Sequence, residues 1–212
     1  MSTLLKHSVI SSVALAALLV AGCSKSTAPL VSPDIADAKA SAPAAPVTAK
    51  TAFGALYKSA RSWSPDVEIL RMTPKELTGF KNAEGKAGMW EAVFAAPSKG
   101  QYRVYTYSVA TVLPEVHKGT SANPALAWAG PSRDAMPIDL ALFNVDSDAG
   151  YQAAAADAAT WLKKNPGEPL AAFELGNNYK FRAPVWYASW GDKKNGYIAF
   201  VDATSGKVYK SK

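Results

Sequence analysis

The sequence predicts an α+β fold made of two similar units, each an amphipathic helix followed by an antiparallel sheet. Three observations predict it. Apolar residues recur at helical spacing in two places, alternating strand-like runs follow each of them, and Gly- and Asp-bearing turns separate consecutive runs. With 212 residues and 49% apolar side chains, the chain has enough material for a real core. A single Cys excludes an intramolecular disulfide framework and every multi-cysteine zinc, iron–sulfur or CxxC site. Only two His are present, one at position 7, which leaves little for metal or triad chemistry. Composition thus argues against most enzyme classes, and neither a cofactor nor a metal is expected.

The chain opens with a secretory signal, residues 1–22. A short basic start carrying Lys6 leads into the apolar run Val9 to Val20, which is shorter than the roughly 20 residues of a membrane-spanning helix and has no stop-transfer pattern after it. Val20-Ala21-Gly22-Cys23 looks like a bacterial lipobox, in which signal peptidase II recognises Val20, Ala21 and Gly22 and cuts before Cys23. The small residues admit the peptidase and the thiol takes the lipid. That resemblance implies a thioether-linked diacylglycerol and a further acyl chain such as palmitate on Cys23. Several chains make attachment durable where a single one holds only marginally. Ser24 after the cysteine resembles a sorting signal for the outer membrane, with the protein facing the periplasm.

Residues 23–48 carry the anchor and an Ala-, Ser-, Thr- and Pro-rich tether without aromatic residues. Such a stretch buries too little apolar surface to offset its ordering entropy. About 25 residues of flexible chain reach roughly 25–30 Å on average and up to about 80 Å when drawn out.

The first unit, residues 49–145, begins with a helix. Phe53, Leu56, Tyr57 and Ala60 fall at i, i+3, i+4 and i+7, and Ser62 to Pro65 ends the stripe. Strands are predicted at Val67 to Met72, Met89 to Ala95 and Tyr102 to Val112. Two further short strands, Ala125 to Trp128 and Ile138 to Phe143, are expected in the connection between the units.

The second unit, residues 146–212, repeats the plan. Tyr151, Ala155, Ala158 and Leu162 make the helical stripe. Asp146 or Ser147 caps its start, Asp148 suits the positive end of its dipole, Lys163 and Lys164 suit the negative end, and Asn165-Pro166 stops it. Strands follow at Pro169 to Leu175, Val185 to Trp190, Gly196 to Asp202 and Lys207 to Tyr209. Alternation puts Trp90, Ala92 and Phe94 on one sheet face and Trp186, Ala188 and Trp190 on its counterpart. Trp63 to Trp90 and Trp161 to Trp186 repeat at nearly equal spacing, which marks a duplication. Turns at Pro97 to Gly100, Asp192 to Gly196 and Asp202 to Gly206 favour antiparallel pairing.

The run Tyr197-Ile198-Ala199-Phe200-Val201-Asp202-Ala203-Thr204-Ser205-Gly206-Lys207-Val208 resembles the closing hairpin of PepSY-like domains, where an aromatic strand enters a V-D-A-x-T-G-x-V turn. Ser205 departs from that pattern by standing where Thr is usual. Pro184-Val185-Trp186, Trp190-Gly191 and the Val145-Asp146-Ser147-Asp148 lead into an Ala-rich helix are similar to the second half of tandem PepSY-like envelope lipoproteins. The resemblance covers residues 146–210 directly and 49–112 through internal similarity. It implies an envelope binding or regulatory module, with peptidase modulation as a proposed role of the family, and it transfers no active site.

Individual residues add little chemistry. His117, the one mature histidine, reads as a solvated loop residue rather than a general base, because no nucleophile motif stands near it. Asp146-Ser147-Asp148 lacks the further carboxylates of a calcium loop, and Asp202 reads as a turn-opening residue. No GxSxG, HExxH, P-loop or GxGxxG occurs. Most of the six Trp, nine Tyr and seven Phe are expected in the core, with Tyr102, Tyr105, Tyr107 and Trp128 as exposed candidates for ligand contact. Removing the signal takes away Lys6, so the mature charge is one unit below the +6 of the full chain. Lys193, Lys194, Lys207, Lys210 and Lys212 read as a solvated basic edge.

The expected function is therefore noncatalytic: a lipid-anchored envelope module that binds a protein or peptide. The alternatives are an envelope hydrolase acting on peptide or cell-wall substrates, and a structural role in envelope assembly. Beyond the membrane and an envelope partner no other partner is expected, and export argues against nucleic acid.

Overall fold

Phe53, Leu56, Tyr57 and Ala60 do share one face of a 15-residue helix, α1 (Ala49–Trp63), with Leu56 and Ala60 buried and the two aromatics packed on the same core. The computed structural model describes residues 44–181 and 183–209. The signal segment, Cys23, most of the tether, Lys210 and Lys212 lie outside them.

After α1 come β1 (Glu68–Lys75), β2 (Met89–Ala96), β3 (Gln101–Ser108), β4 (Gly119–Ala122) and the two-residue β5 (Leu126–Ala127). The second unit supplies α2 (Ser147–Asp157), α3 (Ala159–Lys164), β6 (Leu170–Gly176), β7 (Val185–Trp190) and β8 (Tyr197–Asp202). Every pairing is antiparallel, and the strands form one sheet in the order β4-β3-β2-β1-β6-β7-β8, with β5 also on β3. The first unit is thus a helix and a four-stranded meander with β5 at its side, and the second is two helical pieces and a three-stranded meander. The two meanders join through their first strands, β1 and β6.

The helices lie on one face of this sheet, α1 over β2 and β3, α2 over β7 and β8. The predicted alternation holds: Trp90, Ala92, Phe94, Trp186, Ala188 and Trp190 are all buried on the helix side. Burying each large apolar side chain contributes roughly 1.5–3 kcal/mol. Phe173 stacks on Trp186 with centroids 4.9 Å apart, and Phe94 meets Tyr105 edge-on at 5.7 Å.

Two equivalent bonds tie helix to sheet. The Trp90 indole N–H donates to the Val47 carbonyl at 2.9 Å, and that of Trp186 donates to the Val145 carbonyl at 2.9 Å. Val47 also bridges Ala87, so the fold begins within the segment read as tether.

Four local expectations are corrected. The second helix is two pieces, because Ala158 (φ −77°, ψ −4°) forms a turn between α2 and α3. That bend lets the Trp161 indole N–H reach the Asn195 carbonyl at 3.1 Å. Ile138 to Phe143 is not a strand: the Asp139 carboxylate accepts the Ala141 N–H and winds Leu140–Leu142 into a 3₁₀ turn. Lys207 to Tyr209 contributes only a single bridge, Val208 to Val201. The third strand stops at Ser108 instead of reaching Val112, because the Ser108 hydroxyl donates to the Ala110 carbonyl at 2.7 Å and turns the chain into the loop before β4.

Candidate functional site

The join between the two meanders is short, and the reason lies in Pro74. In antiparallel ladders successive residues bond to opposite neighbours. The Val109 N–H to Gly88 carbonyl bond (3.0 Å) sets the alternation in β2 and, through its register, makes Thr73 and Lys75 bond β2 while Met72 and Pro74 face β6. The Ala203 N–H to Pro184 carbonyl bond (2.8 Å) does the same for β7, so Ala172 and Glu174 bond β7 while Leu175 and Phe173 face β1. Pairing between the units covers Arg71↔Gly176 and Met72↔Leu175. The next bonded pair would be Pro74 with Phe173, and Pro74 has no N–H to donate.

Beyond that point β1 and β6 part. The register of β6 on β7 shifts between Leu170 and Ala172, and Pro169 precedes the strand. A cleft of about 900 Å³ opens between Thr73 and Pro74 on one side and Leu170 to Glu174 on the other, closed at its end by the loop Glu76 to Asn82. Two tight turns build the connection from β1 to β2. Leu77 bridges Phe80 with Gly79 at φ 84°, and Ala83 bridges Lys86 through Glu84 (φ 51°) and Gly85 (φ 76°). Gly85 fits because its backbone lies against Ser147, where a Cβ would stand 2.2 Å from the Ser147 carbonyl oxygen.

The cleft walls carry both apolar and charged groups. Leu170 is 39% exposed there. Glu76, Glu174 and Lys81 line it, two carboxylates to one ammonium. The Asn82 side-chain N–H donates to the Lys75 carbonyl at 3.1 Å, and its buried Oδ1 has no partner among the described residues.

A second, polar hollow of about 350 Å³ lies on the sheet face away from the helices, at the same strand ends as Pro74, where His117 and Glu115 of the loop before β4 meet Lys75, Glu91, Thr106 and Ser121. Lys75 and Glu91 form an ion pair at 3.4 Å. Among the described residues no three His, Cys, Asp or Glu side chains gather as metal ligands.

The four aromatic residues singled out from the sequence do not converge. Tyr105 is only 2% exposed and belongs to the core beneath α1. Burial pushes its phenol pKa up against the influence of Arg103. Tyr107 packs on the same core, whereas Tyr102, one residue off in the alternation, looks to the opposite face and pairs with Leu126. Trp128 is half-buried and its backbone N–H donates to the Gly100 carbonyl at 2.9 Å. Alternation within a single strand divides the three tyrosines between faces, so they make no common groove. The residues that line the cleft were missed because depth between strands leaves no periodic trace. The one signal was Pro74, two residues past the predicted end of the first strand, which in fact runs on to Lys75.

Cys23 and its flanking Val20, Ala21 and Gly22 lie outside the described residues. Among the described residues no helix is long and apolar enough to cross a membrane.

No family model matches the chain, and no curated protein matches it. Among solved structures, the chain is similar to a candidate lipoprotein from Clostridium difficile 630 at 13% identity and a TM-score of 0.45, over 79% of this chain and 91% of that one.

Proposed function

We propose that this protein is a noncatalytic, lipid-anchored module of the bacterial cell envelope that binds a protein or peptide partner, with modulation of a peptidase as the finer form of that role. The observation that carries the reading is the cleft between β1 and β6, an open site framed by strand edges. The lipobox-like Val20 to Cys23 supports the anchor, and Ser24 supports placement at the outer membrane, facing the periplasm.

Two experiments test it. Affinity purification from detergent-solubilised membranes should enrich one envelope protein or peptide in stoichiometric amount, and repeated purification without any enriched species would refute binding. Cys23→Ala should abolish incorporation of labelled palmitate; unchanged labelling would remove the anchor from the reading.

The hollow around His117 favours a second reading, an envelope hydrolase, because it sets an imidazole beside Glu91, Glu115 and Ser121. Turnover of peptides or muropeptides by the purified protein, lost in His117→Ala, would establish it over the first.

A further inference from the structure

We infer that the cleft receives an extended peptide segment of a partner protein, which adds as a strand to the free side of β6. This rests on the binding-module reading and names the mode of recognition. Leu170 to Glu174 has β7 on one side only. On the other side the ladder positions Phe173 and Ala171 face the cleft, with the Pro74 carbonyl across from them. A row of strand N–H and C=O groups is matched in spacing and direction by another extended backbone and by no compact ligand.

The free stretch runs five residues, Leu170 to Glu174, or about 16 Å at roughly 3.3 Å per residue, enough for a short strand. Pro74 and Pro169 keep this opening from closing on itself, since neither can donate into a ladder across it. The lining also selects. Leu170 offers an exposed apolar surface, and Glu76 and Glu174 outnumber Lys81 on a chain of net charge +6. A peptide alternating small apolar with basic side chains complements both.

The test pans a phage-displayed library of random peptides of about nine residues on the full mature chain in detergent. Selected peptides should be extended and basic. N-methylation of alternate amides should weaken them at least about tenfold, because it removes the ladder donors without changing the side chains. Binding should slow amide exchange of Phe173 and Ala171 about tenfold or more. Ala171→Pro should lower affinity by a similar factor. Should that variant fold poorly, Glu174→Lys, at a half-buried position on the sheet face away from the helices, should reduce affinity for basic peptides several-fold.

Peptides that bind with no response to N-methylation, or that protect amides elsewhere, would overturn strand addition. So would concentration-dependent dimerisation that protects the same two amides, which would make a second copy the occupant. Affinity rising on deletion of residues 24–43 would assign the cleft to the chain's own N-terminal segment, against the proposal. An empty panning beside a successful affinity purification would end the strand-addition proposal and leave the binding module standing. An empty result in both would end both.

Discussion

Gly150 occupies the place in α2 that Ala52 occupies in α1, counting from the equivalent Val145 and Val47. The sequence makes it a helix-weakening residue, and the packing explains it: a Cβ there would lie 2.5 Å from Trp186 Cδ1 and 2.7 Å from Cγ. Trp186 cannot retreat, since it is fully buried and its indole N–H is held by the Val145 carbonyl. Gly150→Ala should therefore destabilise the protein by about 1–3 kcal/mol despite a helix-propensity gain of roughly 1 kcal/mol. Urea unfolding of the variant checks this, and a stabilised variant would contradict the packing argument. Asp66 makes a pH prediction. Its carboxylate accepts the Ser64 hydroxyl at 2.6 Å and the Ser98 N–H at 2.7 Å, and these bonds pull its pKa from 3.8 to about 2. The unfolded chain takes up this proton first as pH falls. The contribution is thus present above about pH 4 and disappears on acidification toward pH 2. Asp66→Asn should flatten that part of the stability–pH curve, measured as urea midpoints at about pH 6 and pH 3. At the alkaline end, burial and the bond to Asp202 at 2.8 Å raise Tyr209 to about 12. The unfolded phenol ionises first, so this contribution is full below about pH 10 and lost as pH rises toward 12.

At the scale of elements, one residue caps two helices. Asp146 Oδ1 accepts the Ser147 N–H at 2.7 Å at the start of α2 and the Lys50 N–H at 2.9 Å at the start of α1. The Ser147 hydroxyl oxygen accepts the Ala49 N–H at 2.8 Å, whereas Thr48, the N-cap of α1 by position, gives no side-chain cap. Losing one cap costs about 0.5–2 kcal/mol. Asp146→Ala should then cost about 1–3 kcal/mol, and Thr48→Ala only a few tenths, as thermal unfolding of the two variants would show. Equal losses would mean that α1 is capped locally. The capping role of Asp146 toward α2 was legible in the sequence, since it follows from local residue order. Its role toward α1 was not, because that bond joins residues 96 apart. The same division runs through the fold. Trp90 and Trp186 declare their faces by period-two alternation, while β4, Gly119 to Ala122, is short, mostly exposed and without apolar residues that alternate. Ile138 to Phe143 looks strand-like in composition, yet its place is fixed by two separate bonds, from the Ile138 N–H to the Ile69 carbonyl and from the Thr204 hydroxyl to the Leu142 carbonyl, and not by a ladder. The cleft was invisible for a related reason: it depends on which side of β1 Pro74 presents, and that is set by the register of β2 on β3.

At the scale of the whole molecule, the two units are not independent. α1 of the first is capped by residues of the second, and β1 pairs with β6 through Met72 and Leu175. Buried residues of both units, Leu56 and Phe94 with Phe173 and Trp186, belong to one continuous core. Cutting the chain between them would expose the inner edges of both meanders and remove the caps of α1, so neither half keeps a complete set of partners. The protein should therefore unfold in a single cooperative transition, with tryptophan fluorescence and far-ultraviolet circular dichroism giving coincident curves. Trp90 reports on the first unit and Trp161, Trp186 and Trp190 on the second, so separate melting would split the two signals. Met72 lies at the join and is fully buried. Met72→Ala should cost about 2–5 kcal/mol, which for a domain of this size lowers Tm on the order of 5–15 °C. That loss should move the whole transition without broadening it. A variant in which one unit melts early while the other keeps its midpoint would show that the sheet transmits no cooperativity across β1 and β6.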